Sequence, residues 1–99
     1  MYNHSVVYLF EYNQEKDQAL RRDRGIGFQD IIDAINQGHL LDNINHPNPK
    51  CANQQVLVVY LNHYIYACPY VIKDHTIYFL KTIYPSRKLL KKYQRILSI

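Results

Sequence analysis

The residues of this chain whose types suit chemistry are its cations, its tyrosines and one loop histidine. Arg87 and Lys88 directly follow Ser86, where a segment of helical spacing begins. Ser86 is a natural N-cap, its hydroxyl placed to accept from a free N–H of the first turn. Two cations at the positive end of a helix dipole repel one another unless an anion joins them. A phosphate fits that position, taking charge from both side chains and hydrogen bonds from backbone N–H groups. Lys81 interrupts an otherwise apolar strand, and His46 heads the loop His46-Pro47-Asn48-Pro49-Lys50. Together these residues suit cleavage of RNA without a metal. The substrate brings its own nucleophile, the 2′-hydroxyl, and the protein supplies a base, an acid and cations for the phosphate. On that reading Arg87 and Lys88 clamp the scissile phosphate, with Lys81 and Lys50 in support. His46 moves a proton, since imidazole is the side chain suited to proton transfer near neutral pH. Lys50, Lys91, Lys92 and Arg95 bind the RNA backbone, and tyrosines such as Tyr84 stack on unpaired bases. Each residue also has a plainer reading. Charge clusters are commonly just solvated, Lys81 can end its strand facing water, and a histidine beside prolines is commonly a surface residue.

Other chemistries lack their residues. The histidines His4, His39, His46, His63 and His75 are scattered, without the i, i+4 or tight-loop spacing of a zinc site. Cys51 and Cys68 are too few for a disulfide framework, and Cys68 reads as a small packed residue. Phosphate-binding glycine loops and nucleophile elbows are missing, so no metal and no cofactor is expected. The carboxylates Glu15, Asp17 and Asp23 lie beside basic neighbours on a helix and read as solvated.

Charge is placed unevenly. Residues 1–83 carry all eight acids and seven of the twelve Lys/Arg, a net of minus one, whereas residues 84–99 carry five Lys/Arg and no acid. A patch confined to the terminal helix suits a polyanion, either nucleic acid or an acidic partner protein. No apolar run is long enough to span a bilayer, and the helix lacks the Trp/Phe-rich face of a membrane-surface helix. The N-terminus has no secretory pattern. The expectation is a cytoplasmic protein, with residues 1–99 forming one domain.

The elements that must position these side chains can be read from periodicity. Ser5 to Phe10 reads as a first strand. Asn13 caps a thinly apolar helix that runs to Arg24 and stops at Gly25. Phe28, Ile31, Ile32 and Ile35 mark an amphipathic helix closed by Gly38. A strand over His39 to Ile44 leads into the proline loop. Gln55–Leu61 and Tyr64–Ile72 then form a hairpin turning at Asn62-His63. Alternation sets Tyr64, Tyr66, Cys68 and Tyr70 on one face and Ile65, Ala67 and Val71 on the other. A last strand over Ile77 to Tyr84 runs through Pro85 into the basic helix, whose apolar stripe is Leu89, Leu90, Tyr93, Ile96 and Leu97. The expected fold class is α+β: β-α-α, then an antiparallel β-meander, then a C-terminal helix. All helices are expected on one face, with tyrosines lining a groove on the other.

Three stretches in order, Phe10-Glu11-Tyr12-Asn13-Gln14-Glu15-Lys16, then residues 24–35, then Pro85-Ser86-Arg87-Lys88 with the helix to Tyr93, resemble the BrnT toxins of bacterial type II toxin–antitoxin systems. The resemblance covers most of the chain through short motifs. It implies a RelE-like fold, ribonuclease activity that arrests growth, and neutralisation by a cognate antitoxin. The antitoxin would carry the DNA-binding portion, so that operator DNA is met only through it. The partners implied are thus the antitoxin and RNA, free or on the ribosome, and no membrane. Arg87 and Lys88 match the family's Arg-Lys pair, and Glu11 and Lys16 its first motif. The chain departs from the pattern at Arg24, which replaces a histidine. It departs again at Thr82, which stands where a strand cation is expected, one position after Lys81. The His46-to-Lys50 loop has no counterpart in the pattern.

Overall fold

The computed structural model describes residues 9–97. Strand β1 (Leu9–Tyr12) leads through helices α1 (Gln14–Arg24) and α2 (Phe28–Asn36) to β2 (Leu40–Asn45), β3 (Gln55–Leu61), β4 (Tyr64–Lys73), β5 (Ile77–Leu80), the two-residue β6 (Tyr84–Pro85) and α3 (Arg87–Leu97). The class is α+β, as expected, but the sheet is mixed. Its order is β1-β5-β4-β3-β2, with β6 added beside β4. The meander β2 to β5 is antiparallel, whereas β1 pairs with β5 in parallel, Leu9 opposite Ile77 and Tyr12 opposite Leu80. Four residues of the expected first strand, Ser5 to Tyr8, lie outside the described residues.

Local chemistry accounts for the element ends. The Asn13 side chain accepts from Lys16 N at 2.9 Å, and Gly25 ends α1 at φ +76°, a conformation that costs glycine little. Asn62 and His63 both take positive φ, 53° and 62°, the geometry of a two-residue hairpin turn. The expected strand from Ile77 to Tyr84 is broken: Lys81 to Ile83 leave the strand, and β6 resumes pairing with β4 nearer the hairpin turn, Tyr84 opposite Ala67. Ile83 is fully buried, so the break tucks an apolar side chain into the core.

The helices lie on both faces of the sheet, which corrects the one-face expectation. The main core joins Leu20, Phe28, Ile31 and Ile35 of α1 and α2 to Leu57, Val59, Cys68, Tyr70 and Leu80 of the sheet. Val56, Val58, Ile65 and Ala67 alternate with these and are buried on the opposite face, where α3 packs. Tyr66 and Tyr70 therefore pack on the side of the sheet that α1 and α2 cover. Tyr70 is 1% exposed and stacks on Tyr78 at 4.7 Å.

Asp17 is the second correction. It is 7% exposed, and it ties α1 to α2. Its Oδ1 accepts from Phe28 N at 2.7 Å and its Oδ2 from Arg21 Nε at 3.1 Å. Arg21 also reaches Asp30, whose carboxylate accepts from Gly27 N at 2.8 Å. The chain at Gly27 runs so close that an added Cβ would stand 2.5 Å from both Asp17 Oδ1 and Arg21 Nε. Glycine is needed here for space, not for its dihedral freedom.

Candidate functional site

Strand register gathers the candidate cations onto one face. Paired residues of neighbouring strands share a face, so Ile44, Val56, Pro69 and Lys81 form one cross-strand row. Lys81 belongs to it because its N–H donates to the Pro69 carbonyl at 2.8 Å, continuing the ladder one residue past β5. The next row is Asp42, Val58, Ala67 and Tyr84. Both rows lie beneath or beside α3. Lys81 is thus on the α3 face, whereas Thr82, one residue on, lines a pocket with Lys16, Ala19 and Leu20 of α1.

Between α3 and the loop after β2 lies a cleft of about 300 Å³, lined mainly by Ile44, Pro47, Val56, Ala67, Tyr84 and Leu89 and flanked by Lys88 and Lys92. Ser86 fixes the helix start: its N–H donates to the Ile65 carbonyl and its hydroxyl accepts from Leu89 N at 3.2 Å. Successive helical residues point about 100° apart, so Lys88 and Lys92, four apart, share the cleft side. Arg87 and Lys91 are exposed and do not line the cleft. Arg95 is exposed and, two turns from Lys88, falls on the same side of α3 as Lys88 and Lys92. Lys81 lies two strands from Val56 in the same row, about 10 Å between backbones. It is exposed and makes no ion pair among the described residues.

The loop after β2 carries His46 and Lys50 on either side of Pro47, the residue of the loop that lines the cleft. His46 Nδ1 accepts from Asn48 N at 3.1 Å, which leaves the proton of a neutral ring on Nε2. Lys50 is exposed, and its N–H donates to the Asn48 side chain at 3.0 Å, opening a short 3-10 turn over Pro49–Cys51. Inside the cleft, burial and the nearby Cys51 sulfur push the Tyr84 hydroxyl above its ordinary pKa. Cys68 is fully enclosed on the other side of the sheet, where burial pushes its thiol far up, as fits a packed residue. Among the described residues no three His, Cys, Asp or Glu side chains are grouped to hold a metal ion, and no helix is long and apolar enough to cross a membrane.

The far end of α3 is fastened by a bond that sequence reading did not find. The Tyr93 hydroxyl donates to Asp42 Oδ2 at 2.9 Å, while Asp42 Oδ1 accepts from Asn43 N at 2.8 Å. These two hydrogen bonds, the backbone one first, with Lys92 nearby, hold the Asp42 carboxyl below its ordinary 3.8. A carboxyl lowered by folding stabilises the protein above its unfolded pKa, and that contribution is lost as pH falls through the folded value. The stability gap between wild type and Tyr93→Phe is therefore expected at neutral pH and expected to shrink below pH 3.8. Urea unfolding of both proteins across that range measures it. A gap that stays constant into acid would show that Asp42 does not anchor α3.

Comparison of the chain with protein-family models, with curated proteins and with solved structures finds no match.

Proposed function

We propose that this chain is the toxin of a type II toxin–antitoxin pair: an endoribonuclease that cleaves RNA without a metal, arrests growth and is neutralised by a cognate antitoxin in the cytoplasm. The observation that carries the reading is a cleft flanked by Lys88 and Lys92 on the sheet face that also carries Lys81, with His46 next in sequence to its lining residue Pro47. Cations held on rigid elements stabilise charge that develops on a phosphate. Lys88 sits where the backbone N–H groups at the start of α3 add to that field. The BrnT-like motifs support the same reading, and with them a RelE-like arrangement of the sheet. Proton transfer falls to His46, because burial raises Tyr84 away from the range useful near neutral pH. The test is RNA integrity after inducing this gene alone in a bacterial host. Rapid fragmentation supports the proposal; intact RNA with normal growth removes it.

One observation favours a second reading, a non-catalytic module that binds nucleic acid or a partner through α3. Among the described residues the only titratable hydroxyl lining the cleft is Tyr84, whose pKa burial raises. Purified protein that binds RNA with a steep salt dependence and leaves it uncut would establish this reading over the first.

A further inference from the structure

The α3 face carries an aromatic ring, Phe79, that the proposed cleavage site leaves unused. Phe79 stands in the row Val71, Phe79, Glu11, the next along the sheet after the row that ends in Lys81. The ring is half-buried, with Lys73 Nζ at 5.7 Å and Lys81 Nζ at 5.3 Å from its centroid. The two cations are not equivalent. Glu11 binds Lys73 at 2.9 Å and raises its pKa, so the Lys73 charge already has a carboxylate partner. Lys81 has no carboxylate partner among the described residues and is open to an anion.

Lysine stems alone explain the partial cover of the ring. Position adds more. Val71, opposite Phe79, is four residues along β4 from Ala67 in the cleft, a separation of about 13 Å in an extended strand. Lys81 lies between the two. A ring, then an unpaired cation, then a cation-flanked cleft in one line is the pattern that single-stranded nucleic acid requires, because its bases stack on rings and its phosphates seek charge. An acidic peptide needs the cations but has no use for the ring. The geometry points to Phe79 as a stacking platform for a base of single-stranded RNA, with Lys81 receiving a phosphate between that base and the phosphate held at Lys88. This inference rests on the RNA-cleaving reading and extends it to a substrate contact away from the scissile bond.

The sequence contains no tryptophan. Phe79→Trp in the full chain therefore places the sole indole at the platform, where stacking on a base quenches its emission. The probe is a short oligouridylate blocked against cleavage by 2′-O-methyl groups, titrated beside polyglutamate. Binding to wild type is followed independently by anisotropy of the labelled oligonucleotide. Expected are saturable quenching over the range in which the anisotropy saturates, and binding weakened by about 5- to 150-fold in Phe79→Leu, the range covered by losing one stacked base. Phe79→Tyr keeps the ring and is expected to bind as wild type does. Circular dichroism confirms that each variant is folded, and the Trp and Tyr variants carry the test if the Leu variant is not. Oligonucleotide binding without quenching, and undiminished in Phe79→Leu, would overturn the stacking platform while leaving the cleavage site standing. A wild type that binds polyglutamate and no oligonucleotide would overturn both.

Discussion

Lys88→Ala is expected to lower RNA cleavage by about 10²- to 10³-fold, the loss typical of removing one preorganised donor from a developing charge. Two observations favour Lys88 over its neighbour. It flanks the cleft, and it shares that side of α3 with Lys92, four residues on. Arg87 points about 100° away and is solvent-exposed. Arg87→Ala is expected to cost only about 2- to 5-fold, as a charge near a helix end acting through solvent. Both side chains are exposed, so neither change should unfold the protein. Single-turnover cleavage of a labelled RNA, together with growth after induction, separates the two variants. A fully active Lys88→Ala would dissolve the assigned clamp. A dead Arg87→Ala beside an active Lys88→Ala would move the clamp to the opposite flank of α3.

The largest expected effect on stability lies far from the cleft. Asp17→Ala removes the acceptor of the buried Phe28 N–H and the partner of Arg21 together. A charge-assisted bond is lost and a buried donor is left unpaired, a cost of about 3 kcal/mol. The Arg21 pair contributes little of this, since that side chain is 47% exposed. Asp17→Asn keeps an acceptor oxygen for Phe28 N and should retain about half of the stability at stake. Gly27→Ala presses a methyl against the same carboxylate and should cost about 1–3 kcal/mol. Because the clash involves Asp17 itself, the two changes should couple: Gly27→Ala costs less once Asp17 is alanine. Urea midpoints at constant m-value measure all three. Strictly additive effects would mean that the two positions act separately.

Legibility in the sequence follows the range of the contact involved. Asn13 and Gly25 bound their helix correctly because capping is decided within four residues. Asn62-His63 turns its hairpin as expected because loop length selects the turn. The spacing of Phe28, Ile31 and Ile35 shows that α2 is packed, and it is. The stripe on α3 shows in the same way that α3 packs, yet a stripe does not say which side of a sheet it meets. The burial of Asp17 depends on an N–H eleven residues later, so basic neighbours in sequence gave the wrong environment. The break after Leu80 escaped notice because Thr82 and Ile83 have good strand propensity, and tertiary burial of Ile83 overrides it. Within the candidate site, periodicity and charge showed a basic helix and a loop histidine. Only the cross-strand register placed Lys81 on their face.

The parallel pairing of β1 with β5 has a kinetic consequence. The hairpin of β3 and β4 closes across two residues, whereas Leu9 must find Ile77, 68 residues later. The entropy of closing so large a loop is recovered only when the rest of the sheet already stands, so β1 docks late and is the first strand to leave. Native-state hydrogen exchange should therefore show β1 amides opening at lower free energy than those of β3 and β4, and equal protection would contradict this order. Glu11 arrives with β1, and Glu11 is what holds Lys73 beside Phe79. The far end of the proposed RNA track is thus finished by the strand that is placed last.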